Sequence, residues 1–332
     1  MKVRLIVGVL FLMMSVSAMA ALPVGVTIER IWLEKDGLSH PSIRAVGIGK
    51  DLVFLGTERG LTIIKSDGSI TVWNARNSPL AYQQVPALAV RGTELWTTCR
   101  NPVSGGGTYR WDGLQWNVFE EIKDDMQSNY ISCIHVDKKN KVWLGTDNQG
   151  LNSYDFETNP YKKFGYLATK KGLIDMRITA IDSREGELWI GTLGGVSVYK
   201  GKENDKYLFT NFDQSNGLPS NTVTSLAVGS DRVYAGCSMG LMSYDGTGWK
   251  LLGTADGLAD QWVTSLAVDG QTLWVATKKG IQLLKNGQFS APLGLADGLP
   301  STRIQCLTVS RQTSPARVYA GTERGLVIFQ VQ

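Results

Sequence analysis

Short runs of alternating apolar and polar residues recur along the chain, as in Val223-Thr224-Ser225-Leu226-Ala227-Val228 and Val263-Thr264-Ser265-Leu266-Ala267-Val268. A period of two marks β-strands, whereas an amphipathic helix would show a period of 3.6. Each run leads into an apolar-aromatic-apolar-small-Thr segment. Clear copies are Val53-Phe54-Leu55-Gly56-Thr57, Val142-Trp143-Leu144-Gly145-Thr146 and Leu188-Trp189-Ile190-Gly191-Thr192. Variants follow at Val233–Cys237, Leu273–Thr277 and Val318–Thr322, and a degenerate copy lies at Leu95–Cys99. The aromatic therefore falls at 54, 96, 143, 189, 234, 274 and 319, with a spacing near 44 residues.

Each copy continues in the same way. A glycine turn such as Glu58-Arg59-Gly60-Leu61 opens a third strand, and a polar turn opens a fourth, as at Trp249-Lys250-Leu251-Leu252. Asp36-Gly37-Leu38, Asn216-Gly217-Leu218, Asp256-Gly257-Leu258 and Asp297-Gly298-Leu299 then introduce the next copy. Four short strands per repeat are the unit of a β-propeller blade, so the pattern predicts an all-β, seven-bladed propeller with four antiparallel strands per blade. Glycines inside the aromatic strand (Gly56, Gly145, Gly191, Gly236, Gly321) are expected to allow close approach of neighbouring blades. Gly60, Gly150, Gly240 and Gly325 are expected at turns with positive φ.

The last copy has only one strand beyond Gly325, while Val26–Leu33 is a strand-like segment ahead of the first Asp-Gly-Leu. That segment is predicted to complete the seventh blade, close the ring and cover a free sheet edge. Upstream, Lys2 and Arg4 precede an apolar run from Leu5 to Met14 that ends on Ala18-Met19-Ala20. This reads as a secretory signal over residues 1–20, leaving residues 21–332 as one propeller domain. No other segment is apolar and long enough to span a bilayer.

Composition adds limits. With 43% hydrophobic and 19% charged residues the chain is not disordered. A formal charge of +4, which becomes +2 without Lys2 and Arg4, is too small and dispersed for a nucleic-acid surface. Absence of an Asn-x-Ser/Thr sequon agrees with a bacterial periplasmic or secreted protein.

The repeat resembles the two-component regulator propeller, whose pattern runs Gly-Leu-Pro-x-Asn, an alternating strand, an apolar-Trp-apolar-Gly-Thr strand and a Gly-Leu turn. Gly217-Leu218-Pro219-Ser220-Asn221 through Gly240-Leu241, and Gly298-Leu299-Pro300-Ser301 through Gly325-Leu326, carry the resemblance. It implies a periplasmic ligand-binding sensor module. Because the chain ends at the propeller, signalling is expected to pass through another envelope protein, such as a sensor kinase.

Loops entering the first strand of each blade crowd around one mouth of a propeller. Ser42, Gln84, Tyr130, Arg177, Thr222, Trp262 and Arg303 share one position there and vary while the framework repeats. Arg forks suit carboxylates or sulfates, and aromatic faces suit sugar rings. Arg44, Asn129, Tyr130, Arg177, Asn221, Trp262 and Arg303 are therefore the expected ligand-binding residues, with Gln261 beside them; the alternative is a solvated mouth without ligand. A small-molecule or carbohydrate ligand and an envelope protein are the expected partners, with no cofactor, no metal and no catalytic residue.

Other chemistry is weaker. Cys99 and Cys237 fall at the Thr position and Cys133 and Cys306 at a small-residue position, which suits buried thiols; only Cys99 and Cys133 lie in adjacent blades and could pair. His40 and His135 are too few and too separated for a metal site, and Gly105-Gly106-Gly107 lacks the rest of a phosphate loop and is expected as a longer hairpin connection at the second blade's glycine turn. Two alternatives to a sensor stand: a hydrolase, lactonase or lyase whose channel cation is held by Asn129, Asn221, Asp175 and Asp260, or a structural docking scaffold of an envelope assembly.

Overall fold

Why the motif recurs is visible in what each of its residues touches in the computed structural model, which describes residues 22–23, 25–101, 105–121, 124–154 and 164–331. The expected signal segment lies outside the described residues. These residues form seven four-stranded antiparallel sheets, each consecutive in sequence except one. The innermost strands are Ile43–Ile48, Leu88–Arg91, Ile131–Val136, Ile178–Arg184, Ser225–Val228, Val263–Asp269 and Ile304–Ser310. Each lies against the next, and the last lies against the first, so they form a closed circle. This is the seven-bladed propeller that the repeat predicts.

The strand-two aromatic is a wedge between blades. Trp96 lies 4.9 Å from Tyr154 of the third blade, Trp189 5.7 Å from Tyr244 of the fifth, and Trp274 5.2 Å from Phe329 of the seventh. In these three cases the partner lies four residues after the neighbour's turn glycine (Gly150, Gly240 or Gly325), so one register of packing recurs in the ring. Burying each such ring contributes about 2–3 kcal/mol from transfer alone.

In five copies the residue two after the aromatic is a glycine that permits close approach, and Thr98 and Ala276 replace it in blades two and six. A Cβ on Gly145 would lie 2.6 Å from Ile178 of the next blade, and one on Gly321 would lie 2.8 Å from Ile43 of the first. Cys133 and Cys306 press on the same glycines from within their own blades. The Thr that follows closes the turn: Thr57, Thr146, Thr192 and Thr322 donate their hydroxyls to the carbonyls of Gly60, Gly150, Gly195 and Gly325. Cys237 makes the same contact to Gly240 through sulfur. The turn glycines Gly60, Gly150, Gly240 and Gly325 all have positive φ, as expected.

Asp-Gly-Leu is a 3₁₀ turn at Glu34–Asp36, Gln214–Asn216, Thr254–Asp256 and Leu295–Asp297. In each the Asp or Asn side chain accepts a backbone N–H three residues back, and the Leu (Leu38, Leu218, Leu258, Leu299) is buried.

Val26–Trp32 pairs antiparallel with Gly325–Val331 as the outer strand of the seventh sheet. Val26 and Trp32 are buried, and the carboxylate of Glu29 receives two hydrogen bonds of 2.6 Å from Arg317. The seam between blades seven and one is packed by Tyr319, Leu326 and Ile328 against Ile43, Leu55 and Ile64. No peptide bond joins the two blades there except through the first strand.

Two details depart from the sequence reading. The second blade's inner strand starts at Leu88, since Pro86 has no N–H to give a ladder, yet Val85 still takes the interblade position, donating to the carbonyl of Thr57. Gly105–Gly107 lie within a strand, paired with Cys99–Asn101, instead of forming the turn itself.

Deleting residues 26–33 is expected to lower stability by more than about 4 kcal/mol in one cooperative transition, through loss of Trp32 and Val26 burial and exposure of a sheet edge. Calorimetry giving a wild-type melting temperature for this deletion would refute closure by the first strand.

Candidate functional site

Seven loops meet at the N-terminal ends of the inner strands. At this level five inner strands carry a bulge at the second residue: Arg44, Ser132, Thr179, Thr264 and Gln305 interrupt the register with the second strand. A bulge turns its side chain toward the neighbouring blade. Ser132 and Thr264 accordingly donate to the carbonyls of Ile178 and Ile304, and Gln305 donates to the hydroxyl of Ser42 across the closing seam. Arg44 instead pairs with Glu58 of its own blade.

The varied position keeps one common support. Two residues earlier, a short polar side chain accepts its backbone N–H: His40 for Ser42, Ser128 for Tyr130, Asp175 for Arg177, Asp260 for Trp262 and Ser301 for Arg303. This pairing was missed in the sequence, although a Ser, Asp or His at that spacing in five copies is its signal. Asp175 also binds the Arg177 guanidinium twice, at 3.0 and 2.6 Å, and these hydrogen bonds hold its carboxyl below the ordinary range. Asn129 and Asn221, one residue before the mouth position, accept the backbone N–H groups of Glu121 and Gln214, pinning the preceding loop.

Four side chains at the varied position are exposed: Arg177, Thr222, Trp262 and Arg303, on four consecutive blades. Trp262 is 42% exposed and Lys278 lies 4.0 Å from its ring centroid, a cation–π contact. The side chain of Arg303 is 73% exposed and pairs with Glu323 at 3.2 Å. Exposed Leu193 and Met239 occupy the glycine turns of blades four and five on the same face. Ser42, Gln84 and Tyr130 are partly covered. The exposed mouth is thus an arc over blades four to seven, and Arg177 and Arg303 within it, like Arg44 in blade one, each have a carboxylate partner.

Opposite the mouth, a cleft of about 660 Å³ opens between blades three and four, lined by Trp143, Tyr199 and the hairpin turns 137–141 and 184–187. At its inner edge His135 shares a 2.8 Å hydrogen bond with the hydroxyl of Ser183. Neighbouring Asp182 accepts the N–H groups of Ser183 and of Val228 in the fifth blade. Burial pushes the imidazole down and the Asp182 carboxyl up, against the mutual attraction of their charged forms. The Asp182 oxygens are held by these two backbone donors, and the imidazole hydrogen bond is to Ser183. All four cysteines are free, and burial raises the thiols of Cys133 and Cys306 to about 12, which leaves them protonated and unreactive. Among the described residues no group of three His, Cys, Asp or Glu side chains is placed to hold a metal, and no helix is long and apolar enough to cross a membrane.

Residues 125–148, which run from Asp125 through the Asn129 loop and the Trp143-Leu144-Gly145-Thr146 strand, match the family model for the two component regulator propeller. The chain carries a two-component regulator propeller repeat. Among curated proteins, histidine kinase P4 of Formosa agariphila is 28% identical over 180 residues, 51% of this chain. The aligned region is 13% of that kinase, so this chain spans a small part of the relative's length. In fold it is similar to the extracellular domain of a protein described as a hybrid two component system, BT3049 of B. thetaiotaomicron, with a TM-score of 0.73 at 20% identity over 93% of this chain and 41% of the other. Virginiamycin B lyase from Staphylococcus aureus has a TM-score of 0.67 at 12% identity, covering 92% of this chain and 100% of the lyase. At these identities the structures share the propeller fold and nothing further.

The buried imidazole gives the propeller a pH dependence. An unfolded His takes up a proton near pH 6.5, whereas folded His135 resists it, so acidification below that pH favours the unfolded chain. Asp182 acts oppositely, gaining stability as pH falls through its raised folded value, but it is present with or without the imidazole. From about pH 7.5 to 5.5 the urea midpoint of the wild type is expected to fall relative to that of His135→Gln. A difference between the two proteins that stays constant over this range would contradict the assignment.

Proposed function

We propose that this propeller is a non-enzymatic, extracytoplasmic sensing module that reports to a separate envelope signalling protein of the two-component class. Support comes from the family repeat, from the histidine kinase that aligns with about half of this chain at 28% identity, and from the extracellular domain of a hybrid two component system with the same fold. The same relatives and the signal-like residues 1–20 support a periplasmic or secreted location.

One observation carries the assignment of the working surface. A framework repeated seven times varies at the mouth, where it exposes Arg177, Trp262 and Arg303 beside Leu193 and Met239. Their internal ion pairs leave little net charge for a small anion, whereas an exposed aromatic and two apolar side chains rimmed by Arg–carboxylate pairs match the anatomy of a protein interface. Asn129 and Asn221 pin the loops that precede them, and Arg44 pairs with Glu58 within the first blade. Asn129, Asn221, Asp175 and Asp260, the candidate ligands of the hydrolase or lyase reading, each accept a backbone N–H within the mouth loops.

Photo-crosslinking residues placed at 177, 262 and 303 in living cells are expected to capture a membrane-anchored sensor kinase, identified by mass spectrometry. The same group at Leu114, exposed on the outer rim, should not. Equal capture at Leu114, or none at the mouth, would overturn this reading.

A further inference from the structure

The cleft opposite the mouth differs from the rest of the ring in charge. The hairpin turn between the first two strands of blade three reads Asp137-Lys138-Lys139-Asn140-Lys141, whereas the corresponding turns Gly49–Asp51, Gly92–Thr93, Glu185–Gly186, Gly229–Arg232, Gly270–Gln271 and Arg311–Pro315 carry at most one cation each. These turns join the same two strands in every blade but differ in length and sequence, so the fold does not demand three lysines there. The turn is also held rigidly. Asp137 accepts the N–H groups of Lys139 and Lys141 at 2.8 and 3.0 Å, and its second oxygen takes the Trp143 indole N–H at 2.9 Å.

Six cations line the cleft: Arg91, Lys138, Lys139, Lys141, Arg184 and Lys200. Three carboxylates face them, and two are committed. Asp137 serves its turn, and Glu187 pairs with Arg184 and Lys200 at 3.2 and 3.5 Å. Glu185 is exposed at the rim. Lys138 and Lys139 are exposed, and neither has an ion pair with a described residue. Arg91 is matched by Glu94. The floor is aromatic: Trp143 and Tyr199 meet edge to face at 6.1 Å, and the Lys141 ammonium lies 4.9 Å from the Trp143 ring. A volume of about 660 Å³ falls within the 300–1,000 Å³ of small-molecule sites.

We propose that this cleft binds an oligosaccharide bearing closely spaced carboxylate or sulfate groups. Lys138 and Lys139 meet the acid groups, Tyr199 offers a ring edge to the sugar, and Asn140 and Glu185 supply the donor and acceptor that hydroxyls require. The need for acceptors beside the cations favours a sugar over an acidic peptide, whose side chains bring acceptors only. The mouth arginines, each with its own carboxylate, are a poorer place for such a ligand.

Calorimetric titration of the full chain tests this with tetragalacturonate, sulfated cellotetraose, unsulfated cellotetraose, tetraglutamate and inorganic sulfate. Tetragalacturonate or sulfated cellotetraose should bind, telling carboxylate from sulfate, and the remaining three at least ten-fold more weakly. The double variant Lys138→Gln, Lys139→Gln should weaken the acidic sugar at least ten-fold. Lys250→Gln with Lys285→Gln, exposed lysines of other blades with the same total charge, should leave affinity within two-fold. The proposal is overturned if neither acidic sugar binds, if unsulfated cellotetraose, tetraglutamate or inorganic sulfate binds as tightly, if the blade-three variant binds like wild type, or if the control variant loses as much.

Discussion

Everything in this ring depends on how closely one blade can approach the next. At five of the seven junctions an apolar residue at or just before the start of an inner strand (Val85, Ile178, Val223, Val263 or Ile43) is pressed onto the glycine of the preceding blade's second strand, and Thr98 and Ala276 take the glycine's place in blades two and six. At those five glycines a Cβ would lie 2.5–2.8 Å from the next blade and push that wedge outward. The aromatic two residues before the glycine then packs on the neighbour's third strand, and the Thr after it ties off the turn. An apolar-aromatic-apolar-Gly-Thr segment is thus a single device for joining blades, which is why it recurs while the mouth residues do not.

That device made the fold legible from sequence. Its seven copies, the αL glycine of the Asp-Gly-Leu turn and the orphan strand Val26–Trp32 each answer to a local steric or hydrogen-bonding demand that a residue type reveals by itself. The site was less legible. Asn129 and Asn221 looked like ligand contacts because their type says only that they hydrogen-bond; that their partners are the N–H groups of Glu121 and Gln214 depends on loop geometry. Likewise the arginines at 44, 177 and 303 were visible as cations, but their pairing with Glu58, Asp175 and Glu323 was not. The cleft between blades three and four went unseen because it is assembled from turns of unequal length that no repeat alignment superimposes.

A division of labour between the two ends of the channel follows. Mouth loops are stiffened by side chains that cap the backbone, and they present a nearly charge-balanced arc with exposed Trp262, Met239 and Leu193. The opposite end carries an excess of lysine over an aromatic floor, close to the His135–Ser183–Asp182 contacts that link blades three, four and five. A rigid ring is suited to connecting them, since closely packed blades transmit displacement rather than absorb it.

The seam between blades seven and one is the most direct test, because it alone is closed without chain continuity between inner strands. Gly321→Ala and Gly145→Ala each place a methyl against the next blade's isoleucine, and each should cost about 1–3 kcal/mol in urea unfolding. Equal losses at the two positions are predicted for a ring closed by the same contact throughout. A Gly321→Ala protein as stable as wild type, beside a destabilised Gly145→Ala, would mean that blades seven and one are not in contact and that the ring is open.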